Sequence, residues 1–163
     1  MKITRLTKAF AAALVAAMLG FTWPGGAQDK PADNMQILRD KIRADKKLVV
    51  AANMELTEAE AKGFWPIYEQ YQKDLGKLNQ QMANLLDSYA DDYRRKSLTD
   101  DKAKKLIDQA LAIDKAETDL KSNYAPKLSK VLPVRKVARY LQIENKIRAV
   151  VKYDIASGVP LVR

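Results

Sequence analysis

The sequence predicts an all-α protein of four helices, in which the middle two form a dominant long antiparallel hairpin, and a dimer is favoured over a monomer. Three observations lead there. Apolar residues return at steps of three and four through most of the chain, and no stretch alternates as a half-buried strand does. Two Leu-Thr strings stand just ahead of the two longest periodic runs, where helix N-caps are needed. The 163 residues hold no cysteine, so helix packing has to stabilise the fold without disulfides.

The N-terminus is set apart first. Residues 1–8 carry Lys2, Arg5 and Lys8 and no acid, residues 9–23 are apolar or small, and Pro24-Gly25-Gly26-Ala27 follows. A basic start, a short apolar core and a small-x-small exit describe a secretory signal peptide over residues 1–27, cleaved after Ala27. The apolar run is shorter than the roughly 20 residues that span a bilayer. No later stretch is long and apolar enough to span one, so the expected location is the periplasm. Residues 28–33 read as a disordered lead-in and 34–163 as a single helical domain.

Asp33 or Asn34 caps a first helix expected to run to about Asn53, with Leu38, Ile42 and Val49 near helical spacing. Leu56-Thr57-Glu58-Ala59-Glu60 is a capping box: Thr57 serves the free N–H at Glu60, and Glu60 reaches back. The helix it starts is expected to reach about Arg95. Its stripe is Phe64, Tyr68, Tyr71, Leu75, Leu78, Met82, Leu85, Tyr89 and Tyr93, a nearly unbroken three-four pattern. Pro66 is expected to bend its first turns.

Lys96-Ser97 is a short connection, which forces the next helix back antiparallel. Thr99 caps that helix, Asp100 and Asp101 suit its positive end, and its stripe is Ala103, Leu106, Ala110, Ile113, Leu120, Tyr124 and Leu128, interrupted by Glu117. Pro133 is placed as the first residue of a last helix running to about Ala156, ended by Gly158 and Pro160. Leu56-Thr57 and Leu98-Thr99 begin a faint internal echo. Either a duplication or the likeness of Thr-capped amphipathic helices accounts for it.

Composition argues for binding over catalysis. The chain has no histidine and no cysteine, which removes the usual general base near neutral pH and the thiolate. The six glycines are scattered and form no phosphate loop. Asp87, Asp91, Asp92, Asp100 and Asp101 cluster at the hairpin turn, but Arg94, Arg95 and Lys96 lie among them, so capping and solvation explain them better than a metal. No enzyme activity, cofactor or metal is expected.

Two sets of residues are candidates for contact with partners. Tyr68, Tyr71, Tyr89 and Tyr93 are either core or a partly open face, since tyrosine buries a ring while its hydroxyl stays wet. The second set is basic. Residues 127–163 hold nine Lys/Arg against two Asp/Glu, while residues 28–126 are near balance. Arg135, Arg139 and Lys146 share one helix face by their spacing. That face is either simply solvated or attracts acidic partners. Export argues against nucleic acid as the native partner.

The exported, cysteine-free helical chain and its two Leu-Thr helix starts resemble the periplasmic Spy/CpxP-like proteins, whose repeated motif is Leu-Thr-x-x-Gln. Glu60 stands at the Gln position in the first string and Lys102 in the second. Glu60 keeps the capping role, and Lys102 cannot accept from the backbone. The resemblance covers about residues 54–147. It implies a curled antiparallel homodimer whose concave, basic and partly apolar face holds unfolded or acidic client proteins without ATP. The expected function is therefore a periplasmic ATP-independent chaperone. The alternative is a regulatory or structural protein of the envelope stress response that docks one specific partner.

Overall fold

A computed structural model of the chain describes residues 45–162. The expected signal peptide 1–27, the expected lead-in 28–33 and the first part of the expected first helix, with Leu38 and Ile42, lie outside the described residues. The remainder is all-α, as predicted: α1 (Lys46–Met54), α2 (Glu58–Arg95), α3 (Asp100–Ser129) and α4 (Val134–Gly158), with no strand among the described residues. The chain divides into two compact units, one built on Glu58–Pro133 and the other on Val134–Pro160 together with the segment that ends at Thr57.

The first unit is the hairpin. α2 begins directly after Thr57, with Glu58 and Glu60 in its first turn against the positive helix end. It runs unbroken through Pro66 for 38 residues, about 57 Å at the helical rise. At its end Lys96 turns left-handed (φ 53°). The Ser97 N–H then donates to the Asp92 carbonyl (3.0 Å) and the Lys96 N–H to that of Tyr93 (3.3 Å). These two bonds satisfy carbonyls that a helix end leaves bare. Thr99 restarts the chain, its hydroxyl accepting from the Lys102 N–H at 3.4 Å.

α3 returns along α2 in one antiparallel register. Gly63 lies against Val131, Tyr71 and Asp74 against Tyr124, and Asp92 against Lys102. A Cβ on Gly63 would lie 2.9 Å from the Val131 Cβ, so this approach of the two arms requires glycine.

The expected stripe of α2 is buried only in part. Phe64, Tyr68, Tyr71 and Leu75 are core, but the buried line continues through Asn79 and Ala83. Leu78, Met82, Leu85, Tyr89 and Tyr93 are half-buried. The reason is the hairpin seam. Contacts with α3 fall at Tyr71, Asp74 and Asp92, on a line that includes polar positions. α2 thus has more apolar width than one seam uses.

In the second unit α1 is nine residues long, too short to persist alone in water. Asp45 caps it, accepting from the N–H of Lys47 (2.8 Å) and Leu48 (3.1 Å). Val49, Val50 and Met54 are buried. Bonds to α4 hold both its ends. Lys46 Nζ meets Glu144 Oε2 at 2.8 Å, with both side chains buried. Glu55, left-handed at φ 49°, accepts at its carbonyl from Lys136 Nζ (2.8 Å) and at its carboxylate from Arg139 Nη2 (2.8 Å). α4 starts one residue after Pro133, not at it, and ends at Gly158. Among the described residues no helix is long and apolar enough to cross a membrane.

Candidate functional site

The hairpin separates the four candidate tyrosines into two pairs. Tyr68 and Tyr71 are buried. Tyr68 packs beside Phe64 (ring centroids 5.8 Å apart) and edge-on to Trp65 (5.3 Å). Tyr71 meets Tyr124 of α3 edge-to-face at 5.3 Å. The hydroxyl of Tyr124 donates to Asp74 Oδ2 at 2.7 Å. Lys77 Nζ (2.7 Å) and Gln70 Nε2 (3.3 Å) reach the same carboxylate, and Lys127 Nζ sits 4.2 Å from the Tyr124 ring centroid. The hydrogen bond from Lys77, then those from Tyr124 and Gln70, hold Asp74 well below the usual carboxylate range. Burial, then the neighbouring Asp74, push Tyr124 up to about 12. A carboxylate kept ionised and a phenol kept protonated cannot exchange a proton near neutral pH. This cluster ties the two arms together and is unsuited to acid-base work.

Tyr89 and Tyr93 lie one turn apart near the hairpin tip, half-exposed, with ring centroids 5.9 Å apart. On α3, Ile107 (58% exposed) and Leu111 (63%) are open to solvent. Two of the tip acids engage cations. Asp92 receives Lys102 Nζ (2.5 Å) and Ser97 Oγ (2.7 Å), and Asp91 pairs with Arg94. The side chain of Lys102, which breaks the resemblance at its motif position, thus bonds to the opposite arm, while its backbone N–H serves the Thr99 cap. No group of three or more His, Cys, Asp or Glu side chains able to hold a metal ion occurs among the described residues.

The three basic candidates lie on the exposed side of α4, whose other side buries Val137, Tyr140, Ile143, Ile147 and Val151. Arg135 has no side-chain partner among the described residues, Arg139 serves Glu55, and Lys146 is exposed. Gln142 and Tyr153 (61% exposed) continue the same line.

Residues outside the candidate set turn out to organise both units: Asp74 with Tyr124, and Lys46 with Glu144. A signal existed for Glu144, which stands inside the apolar run from Tyr140 to Val151. Glu117, expected only to interrupt the α3 stripe, is buried and receives Lys121 Nζ at 2.9 Å. Comparison with protein-family models, with curated proteins and with solved structures finds no match for this chain.

Proposed function

We propose that the protein is an ATP-independent holdase of the Spy/CpxP-like type, working in the periplasm after residues 1–27 are removed and assembling as a homodimer. The observation that carries the reading is the outer half of the hairpin. There Leu78, Met82, Leu85, Tyr89 and Tyr93 stay half-exposed, and Ile107 and Leu111 are open, on two long helices. Scattered single apolar residues are ordinary on a surface, but a tyrosine-bearing series along one hairpin suits weak, adaptable contact with many chains. The basic side of α4, with Arg135, Arg139 and Lys146, supports attraction to acidic clients. Because Tyr68 and Tyr71 are buried, the proposed contact set on the hairpin is Tyr89 and Tyr93 with the aliphatic residues beside them.

The test is suppression of aggregation of two unrelated unfolding proteins, without ATP, at low and high salt. Suppression of both, weaker at high salt and weakened by Tyr89→Ser with Tyr93→Ser, is the expected result. No effect on either by a folded, helical protein overturns the holdase. It would favour the second reading, a regulatory or structural protein of the envelope that docks one specific partner.

A further inference from the structure

A groove of about 410 Å³ runs between α2 and α3 in the outer half of the hairpin. Its polar lining is Gln81, Asn84 and Ser88 from α2 and Gln109 from α3. Leu85, Ala112 and Ile113 supply the apolar part. Its size is within the range of small-ligand sites.

The lining has no charged residue, although charged residues make up 30% of the chain. That neutrality selects against nucleic acid, phosphate and metal ions, which need opposite charge. It has no aromatic ring either, so nothing offers the stacking platform that a base prefers. What remains is a set of carboxamides and a hydroxyl. Each carboxamide presents both a donor and an acceptor, the same two groups as a peptide unit. Gln81, Ser88 and Gln109 make no side-chain hydrogen bond to another described residue. Asn84 accepts from Gln80 through Oδ1 at 2.9 Å, and its NH₂ is left for other use. Ala112 and Ser88 are small, which keeps the groove open, while Leu85 and Ile113 can receive a short apolar side chain.

We propose that this groove binds an extended, uncharged peptide segment through its main chain, with Gln81, Asn84 and Gln109 pairing to backbone N–H and C=O groups. The inference rests on the holdase reading and deepens it: the tyrosine-rich face would hold side chains, and the groove would hold backbone without regard to sequence. It explains how one surface can accept unrelated clients, since every peptide carries the same main-chain groups.

The test uses the purified protein and a fluorescein-labelled peptide of alternating Asn and Val, read by anisotropy. A second peptide has the same side chains with its backbone nitrogens methylated, so that it cannot donate. Ala112→Phe fills the groove from an exposed position, and Gln81→Leu with Gln109→Leu removes two carboxamides at similar bulk. Circular dichroism and the thermal midpoint establish that each variant is folded. Binding of the plain peptide is expected, weakened about tenfold or more by either variant and by backbone methylation. Equal binding by the folded variants and the native chain overturns the groove. So does a native dimer that Ala112→Phe converts to monomer without changing peptide affinity, which would make the groove a contact between copies. If aggregation is suppressed but the peptide binds independently of these residues, the groove fails and the holdase stands. Groove-dependent peptide binding without aggregation suppression keeps the site and removes the holdase.

Discussion

The Tyr124 hydroxyl donates a 2.7 Å hydrogen bond to Asp74 across the two arms of the hairpin, between residues 50 apart in sequence. The bond sets the register of α3 on α2 at one point, beside the edge-to-face contact of Tyr124 with Tyr71. Its acceptor is a carboxylate already engaged by Lys77 and Gln70, so the cluster is charge-assisted and directional.

Tyr124→Phe keeps the ring and removes the donor, while Asp74 retains Lys77 and Gln70. The hairpin is expected to lose stability by one charge-assisted hydrogen bond, while its acceptor stays partly satisfied. The pH dependence has a definite sign. Tyr124 is raised from 10 to about 12 in the folded chain. Its contribution is complete below pH 10 and is lost as pH rises towards 12, where the unfolded chain binds fewer protons than the folded one. Asp74 is lowered, so its contribution is present above the usual carboxylate range and declines as the solution is acidified below it. Urea unfolding between pH 2 and 12 is expected to show both declines. The Phe variant should lose the alkaline one and keep part of the acid one through Lys77.

Lys46→Met removes the ammonium from a carboxylate that stays fully buried. Removing one member of a buried pair is destabilising, whereas replacing both members with apolar residues of similar volume is often neutral. Because α1 is only nine residues long, the loss should appear first as local opening. Amide hydrogen exchange over residues 47–54 is expected to accelerate strongly in Lys46→Met and to recover in Lys46→Met with Glu144→Met. Unchanged exchange in the single variant would show that the apolar contacts of Val49, Val50 and Met54 suffice to dock α1.

Much of the fold was legible because its signals are local. Thr57, Thr99 and Gly158 mark helix boundaries within a few residues of themselves, and a short link between long helices has only an antiparallel solution. The site was less legible because its signals are relational. Asp74 reads as one more solvated acid until the register brings Tyr124 to it. Tyr68, Tyr71, Tyr89 and Tyr93 share one periodic stripe, and periodicity alone does not say where along a helix the cover ends. Spacing alone puts Arg135, Arg139 and Lys146 on one side of a helix, but the Arg139 bond to Glu55 depends on how α1 ends, which no motif announces.

Two glycines in α2 should respond in opposite directions. A Cβ on Gly76 meets nothing within 4 Å, so Gly76→Ala gains the helix propensity difference, about 1 kcal/mol. A Cβ on Gly63 would meet the Val131 Cβ at 2.9 Å and its Cγ1 at 3.0 Å. Val131 is β-branched and stiff, so the strain has to be taken by moving the arms apart, at about 1–3 kcal/mol. Thermal melts should rank Gly76→Ala above the native chain and Gly63→Ala below it.

Lys96 and Glu55 are the non-glycine residues with positive φ among those described, at 53° and 49°. Lys96 is exposed and has no side-chain partner among the described residues, so its left-handed backbone is uncompensated. Lys96→Gly is expected to stabilise the hairpin by about 0.5–1 kcal/mol, the steric relief less the added entropy of the unfolded chain. Glu55→Gly should bring no such gain, because it removes the carboxylate that receives Arg139. Denaturant midpoints of the two variants compare them directly.

Arg135 offers the cleanest test of the basic side of α4, since it is exposed and has no side-chain partner among the described residues. Arg139 is a poorer choice, because its removal also loosens the end of α1. Arg135→Glu should leave the thermal midpoint nearly unchanged, as surface charges away from specific contacts usually do. It should slow capture of an acidic unfolding protein at low salt and leave capture of a basic one unimpaired, with the difference fading as salt shortens the reach of the field. Equal slowing for both proteins would mean that the variant acts through folding or assembly and not through charge. No change for either would confine client contact to the hairpin, where Tyr89 and Tyr93 would have to account for it.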